Sequence, residues 1–341
     1  MIRKATIKDI ARESGYSVAT VSRTLSGNGY PVRRTTRREI ETCAQRLGYM
    51  PNVYARTLKT NTSNEVAVVI PSFRNPFYTS ALAGIGNELG RLGYELVFYL
   101  KQHDQVDAAS FVSALSGKKF AGVIIASDCV SHELAVMLDE LQKDIPVVVL
   151  DGEIPDRRSL RGVFFDYRKG AAAAAEYLVA KGHRRVALIT KTIDRPTRRS
   201  VAEGFLQAFR DSGAPVGRGD IFESDISDDF DAGFALGNAV AEARAGYTAL
   251  LANNDAVAAG ALSAMITWNI RVPGDISIMG IDDNVYARMT TPRLTSVRVP
   301  SEEMGILAAK QLLEALAGER AGSRFVEPEI VERDTVRKIN Q

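Results

Sequence analysis

Apolar positions recur at two different rhythms along this chain. Within residues 6–26, TIKDIARESGYSVATVSRTLS, Ile7, Ile10 and Ala11 fall at i, i+3, i+4, which predicts a short helix with one narrow buried stripe. Thr6 stands where an N-cap is needed, with Asp9 three residues on as in a capping box. Gly15 supplies the turn, because no Cβ opposes a positive φ there. Ser17 then caps a second helix that turns Val21 and Leu25 inward and leaves Ala19, Thr20 and Arg23 outward. From Glu65 onward the rhythm becomes short β-branched runs separated by helical stretches. The runs at 66–70, 95–100, 122–126 and 145–150 form one series, and those at 162–165, 185–190, 248–252 and 276–281 a second. Such βα alternation predicts parallel sheets covered on both faces. Two series predict two lobes with a cleft between them, and ligands bind sheets of this kind beyond the carboxyl ends of the strands.

Two short helices around a tight turn describe either a plain helical hairpin or a helix-turn-helix, in which one helix braces while the other enters the major groove. Charge separates the two. The whole chain of 341 residues carries a formal net charge of +2, yet residues 1–63 hold 12 Lys+Arg against 4 Asp+Glu. A strongly basic head is thus joined to a mildly acidic body. Arg33, Arg34, Arg37 and Arg38 form a basic run just past the second helix, placed to neutralise phosphate. Residues 50–63 read as a linker: Pro51 suits a first helical turn, and Asn52 to Lys59 allow two turns, too few to persist alone in water.

Catalytic chemistry is not apparent. Gly84, Gly86 and Gly90 have the wrong spacing for a dinucleotide fingerprint and lie inside a helical stretch. The run at Ser116-Gly117-Lys118-Lys119 lacks the upstream glycine of a phosphate loop. His103, His132 and His183 are scattered, and the Asp282-Asp283 pair alone is a weak metal motif. No enzyme, metal or cofactor is expected. Cys43 and Cys129 lie in different domains without ligand spacing and read as free thiols. No run approaches the roughly 20 apolar residues of a membrane span, and the first residues lack a signal-peptide core. A cytoplasmic protein without membrane contact is therefore expected.

The head segments Thr6-Ile7-Lys8-Asp9-Ile10-Ala11, Ser17-Val18-Ala19-Thr20-Val21-Ser22-Arg23, Leu47-Gly48-Tyr49, Pro51-Asn52, Ala55-Arg56 and Leu58 resemble the lactose-repressor (LacI/GalR) family of bacterial transcription regulators. So do Asn75-Pro76-Phe77, residues 181–185 (KGHRR), Asn254-Asp255, Gly280-Ile281-Asp282-Asp283 and Leu294-Thr295, in order, so that the resemblance spans essentially the whole chain. It implies a small all-α helix-turn-helix head and a two-lobed α/β body like that of periplasmic sugar-binding proteins, with two parallel doubly wound sheets. The domains are expected at 1–50 (head), 51–63 (hinge helix or linker) and 64–341 (effector-binding and dimerisation core). Within the core, the first lobe takes about 64–162 plus 293–325 and the second 163–292 plus 326–341. The implied function is a sequence-specific repressor of a catabolic operon, its operator affinity switched by a small molecule held between the lobes.

The resemblance also implies site residues. Thr6, Ser17, Val18, Ala19, Thr20, Ser22 and Arg23 would meet double-stranded, pseudo-palindromic operator DNA, with Val18, Ala19 and Arg23 nearest the bases. Asn52, Ala55 and Leu58 would act in the hinge, where a leucine wedges into the minor groove when two copies pair. Asn75, Phe77, Asp151, Phe165, Arg195, Asn254 and Asp282 would hold the effector. One departure stands out. The family's ligand-binding arginine comes three residues before a Gly-aromatic pair, and before Gly204-Phe205 that position is Val201. Arg195, Arg199 and Arg74 are candidate replacements, with Arg198 close by, and arginine forks suit carboxylate or phosphate. The effector is therefore expected to be a sugar or sugar derivative, with an anionic one left open. Residues 331–341 carry no leucine heptads, so a homodimer is expected rather than a tetramer. A solute-binding receptor would share the lobes but not the basic head, and an enzyme on this fold would need a catalytic constellation.

Overall fold

The computed structural model describes residues 5–25, 32–47, 49, 63–100, 108–127, 130–152, 160–319 and 322–339. The chain divides into two compact units, residues 1–63 and 64–341. The head unit contains helices α1 (Ile7–Ser14), α2 (Val18–Leu25) and α3 (Arg34–Arg46). Helix α1 opens on a capping box, with the Asp9 amide donating to Thr6 Oγ1 at 3.3 Å and the Thr6 amide to Asp9 Oδ2 at 3.0 Å. It ends at Gly15, whose φ of 75° lies in the left-handed region. Ile10, Val21 and Ile40, one from each helix, are fully buried and form the head's core with Ala11, Cys43 and Ala44. Arg46 pairs with Glu13 at 2.7 Å and Tyr16 donates to Glu39, tying α3 to the α1–α2 turn. Cys43 is a buried free thiol, while Cys129 lies outside the described residues.

The body holds two six-stranded sheets. The first has the order β11-β5-β4-β3-β1-β2, built from β1 (Glu65–Ile70), β2 (Glu95–Leu100), β3 (Gly122–Ala126), β4 (Val147–Leu150), β5 (Arg161–Phe165) and β11 (Arg324–Val326). The second has the order β12-β10-β9-β8-β6-β7, from β6 (Val186–Lys191), β7 (Ile221–Ser224), β8 (Ala249–Ala252), β9 (Ser277–Asp282), β10 (Thr295–Arg298) and β12 (Glu329–Val331). All pairings are parallel except β10 with β12, which is antiparallel and closes the edge of the second sheet. Strand β1 shows why its residues form an unbroken apolar run. Val66, Val68 and Ile70 enter a core cluster on one face, and Ala67 and Val69 enter another on the opposite face.

Helices α4 (Pro76–Gly90), α5 (Ala108–Ser116), α6 (His132–Leu141) and α12 (Ser301–Leu316) cover the first sheet. Helices α7 (Tyr167–Ala180), α8 (Pro196–Asp211), α9 (Asp229–Ala243), α10 (Asp255–Thr267) and the short α11 (Val285–Met289) belong to the second lobe.

Sheet pairing places the lobe limits a few residues from where the resemblance implied them. The run at 162–165 belongs to the first sheet, because β5 pairs with β4 in the register Leu150↔Val163. Likewise β10 pairs with β9, Ile281↔Val297, and so belongs to the second lobe rather than to the segment 293–325. The chain therefore passes between lobes at residue 166, at 299–300 and at 327–328. Uniformly apolar strands carry no mark of the sheet they join, so periodicity could not supply these limits.

Candidate functional site

In the head, α2 turns Val18, Ala19 and Arg23 outward, with Val18 47% exposed, while Val21 and Thr24 are buried. Thr20 and Ser22 are half-buried. Ser17 caps the helix by accepting from the Thr20 amide at 3.1 Å, and its hydroxyl lies 2.8 Å from that of Thr20. Thr6 is occupied as the cap of α1. The Thr24 hydroxyl, which sequence pattern did not single out, donates to the Thr20 carbonyl at 2.8 Å, satisfying a buried polar group. Arg33, Arg34 and Arg38 are exposed at the start of α3, and Arg37 lies 4.0 Å from Glu41. Asn52, Ala55 and Leu58 lie outside the described residues.

In the body, a cleft of about 100 Å³ is lined by residues that all stand at or just beyond the carboxyl ends of strands. Asn75, Phe77 and Tyr78 follow β1, and Asp151 follows β4. Tyr167 opens the helix after β5, Thr197, Arg198 and Val201 the helix after β6, and Asp229 the helix after β7. Asn253 and Asn254 follow β8, and Asp282 ends β9. Two lobes thus contribute to one pocket, as their topology requires.

Of the expected effector residues, Asn75, Phe77, Asp151, Asn254 and Asp282 line this cleft, but Phe165 and Arg195 do not. Phe165 is a core residue at 5% exposure. It packs against Gly170, where a Cβ would come within 2.9 Å of its ring, and meets Tyr167 edge-on at 5.0 Å. Tyr167, two residues on, is the aromatic of this segment that lines the cleft. Arg195 is the N-cap residue of α8, and Arg74 and Arg199 are exposed outside the lining. Arg198, one turn further in, is the arginine that reaches the cleft, and its Nη1 is held at 2.9 Å by both Asp194 and the Thr192 carbonyl. Sequence reasoning missed Tyr78, Tyr167, Thr197, Asp229 and Asn253, and noted Arg198 only as a neighbour of Arg195. Their shared signal is position: each opens the helix or loop that follows a strand.

Helix capping consumes much of the polar lining. Asn75 Oδ1 accepts from the Phe77 amide at 2.9 Å, and Asn254 Oδ1 from the Val257 amide at 2.8 Å. Asn254 Nδ2 donates to Asp229 at 3.0 Å, and the Tyr167 hydroxyl donates to Asp151 at 3.2 Å. Burial, with the Asp151 and Asp282 charges nearby, holds the Tyr167 hydroxyl well above its ordinary pKa, so it remains a donor. Burial also pushes the Asp282 carboxyl well above the carboxylate range, aided by the charges of Asp255, Asp151 and Asp229.

Behind the cleft, Asp282 and Asp283 both have positive φ, 123° and 54°, a strained pair for residues with a Cβ. The Asp282 carbonyl accepts from the Val299 amide at 3.0 Å, in the second passage between lobes. The Asp283 carboxylate bridges Arg298 Nε at 3.0 Å and Arg333, while Arg298 Nη1 reaches Glu329 at 2.7 Å. The strand end that lines the cleft is therefore joined through ion pairs to two of the three interlobe passages. Among the described residues no group of three or more metal-ligating side chains occurs, and no helix is long and apolar enough to cross a membrane.

Comparison with known proteins agrees with this geometry. Residues 6–52 match the family model described as bacterial regulatory proteins, lacI family, and residues 175–336 match a periplasmic binding protein-like domain. Catabolite control protein A of Priestia megaterium is 30% identical over 323 residues, covering 94% of this chain and 96% of that protein. The HTH-type transcriptional repressor PurR of Vibrio cholerae serotype O1 is 30% identical over 345 residues, covering 99% of each. The solved structure of the lac repressor dimer bound to operator and the anti-inducer ONPF superposes with a TM-score of 0.87 at 24% identity, over 98% of this chain and all of that one. Near-complete coverage by relatives that are transcriptional regulators, over a helix-turn-helix head and a two-lobed body, places this chain in the lacI family of DNA-binding bacterial transcriptional regulators, which respond to small-molecule effectors.

Proposed function

We propose that this protein is a cytoplasmic, non-enzymatic repressor of a catabolic operon. It binds a pseudo-palindromic operator as a twofold dimer and is switched by a small polyhydroxylated molecule in the cleft lined by Asp151, Asn254 and Asp282. The observation that carries the reading is the outward face of α2, where two short apolar side chains and Arg23 stand clear of a buried Val21. Val18 and Ala19 suit thymine methyls, and Arg23 suits the O6 and N7 acceptors of guanine. The lac repressor dimer on operator, similar in fold, supports a twofold arrangement, in which half-sites recur about one helical turn apart. In this reading residues 51–63 form the hinge, with Asn52, Ala55 and Leu58 on the minor groove.

The cleft supports a compact, donor-rich effector rather than the anionic one that the arginines suggested. Its volume of about 100 Å³ is below the roughly 300 Å³ at which pockets for drug-sized ligands begin, so a monosaccharide-sized molecule fits better than a larger one. Selecting binding sites from randomised duplex DNA tests the whole reading, and the expected product is an inverted repeat. Replacing Arg23 with Ala should cost about 1–3 kcal/mol and relax one position per half-site. A uniform loss on all sequences would make Arg23 a phosphate contact instead.

A further inference from the structure

The cleft has a chemical bias that goes beyond a generic polyol site. Three carboxylates, Asp151, Asp229 and Asp282, line it together with three aromatic rings, Phe77, Tyr78 and Tyr167. Val201 stands at the position where the resemblance placed a cation. Among the described residues Arg198 is the cation that lines the cleft, and its Nη1 is engaged by Asp194 and the Thr192 carbonyl. Lys191 lies 3.1 Å from Asp229 but is not part of the lining, so it offsets one carboxylate from behind. The Asp282 carboxylate takes a long 3.3 Å hydrogen bond from Asn284 and faces three other acids.

A second, independent observation also calls for a donor. Asn253 Oδ1 is buried in the same lining and has no hydrogen-bond partner among the described residues. An unsatisfied buried acceptor costs free energy that a ligand N–H or O–H recovers.

Helix N-termini attract anions, and around the cleft four of the five are closed by their own caps, the start of α8, with Arg195 at its N-cap position, being the one without a side-chain cap. Asn75, Asp166, Asp228 and Asn254 accept from the first-turn amides of α4, α7, α9 and α10. What the side chains offer a ligand is three carboxyl groups against one lining arginine, with Phe77, Tyr78 and Tyr167 beside them. Carboxylates close to one another favour a cation between them, and aromatic faces attract the same cation.

We infer that the effector is a small polyhydroxylated amine, whose ammonium group sits between Asp282 and Asp229 and whose hydroxyls donate to the remaining acceptors, Asn253 Oδ1 among them. The inference rests on the cleft being the effector site. It concerns which chemistry that site selects.

Matched probes test it by calorimetry on the full-length protein. Glucosamine, galactosamine and glucamine are each compared with the parent glucose, galactose and sorbitol, and with glucuronate and a glucose phosphate. The expected result is that at least one amine binds tenfold or more tighter than its parent, with the acids weaker still. Asp282→Asn and Asp229→Asn should each bring amine and parent toward equal affinity. A far-UV circular-dichroism spectrum like that of wild type and a single cooperative melt establish that these variants fold. Equal or tighter binding by a neutral parent or an acid overturns the ammonium assignment while leaving the cleft as the effector site. Failure of all three amines to bind overturns it as well. If an amine binds with a preference indifferent to both substitutions, the cleft itself is displaced as the effector site.

Discussion

Asp255 sits beside the cleft-lining Asn254 and is fully buried. It accepts from Ser296 Oγ at 2.6 Å and from the Asn284 amide at 2.8 Å, yet burial still pushes its carboxyl from 3.8 up to about 7. The sign of the consequence follows from proton linkage. Between 3.8 and about 7 the folded protein keeps a proton that the unfolded chain has released, so Asp255's contribution is complete at low pH and is lost as pH rises through that window. His183 works in the opposite sense. Burial lowers its pKa, and its contribution is lost as pH falls. A difference between wild type and Asp255→Asn cancels the histidine. That difference, read as a urea midpoint from the single Trp268, should move in favour of the variant between about pH 5 and about pH 8. A gap that stays constant would show that Asp255 does not titrate there. Residue identity made the pair Asn254-Asp255 visible in the sequence. That one member lines the cleft while its neighbour is sealed behind it depends on helix phase at the start of α10, which a dipeptide does not encode.

Helix contacts explain a motif that the sequence could only reject. The glycines at 84–90 are not a nucleotide loop, and Gly84 marks where α4 crosses α12. A Cβ there would lie 2.1 Å from the Glu302 carbonyl, and one on the facing Gly305 would lie 2.1 Å from the Ala81 carbonyl. Gly233 and Gly260 play the same reciprocal part between α9 and α10, at 2.1 Å and 2.0 Å from backbone carbonyls. Because the obstacle is backbone, the helices must separate to admit a methyl. Gly84→Ala should therefore lose about 1–3 kcal/mol from overpacking, more than the roughly 1 kcal/mol that alanine returns in helix propensity. Gly90→Ala, with nothing within 4 Å, should be neutral or slightly stabilising. Equal urea midpoints for the two variants would remove close packing as the reason for Gly84. The long apolar strands were legible because both faces of each sheet are covered. Strands β7, β11 and β12 were not, since three or four half-exposed residues such as Arg324–Val326 carry no run to read. Phe165, which the resemblance placed at the effector, is a case the sequence does not settle: an aromatic at a strand end points into either cleft or core, and here the ring lies against Gly170.

For the whole molecule, the proposed dimer needs a surface, and the free edge of the first sheet offers one. Phe98 and Leu100 alternate outward on edge strand β2, at 47% and 54% exposure, and Phe73 meets Phe98 edge-on at 6.2 Å. Exposed apolar patches on a sheet edge mark sites of association. Replacing both Phe98 and Leu100 with Lys should shift sedimentation equilibrium toward monomer by tenfold or more and weaken operator binding. The Trp268 unfolding midpoint should hardly move, since neither side chain is in the core. An unchanged mass distribution would place the interface elsewhere. The interleaving of the two lobes has a consequence for synthesis. The head is complete once residue 49 has emerged, but the first sheet waits for β11 at 324–326 and the second for β12 at 329–331. At about 5–20 residues per second, that delay is roughly 15–60 s. During translation the helix-turn-helix head is therefore complete for that interval while each sheet still lacks an edge strand, and any product cut short before residue 324 carries the head on a body whose two sheets are both unfinished.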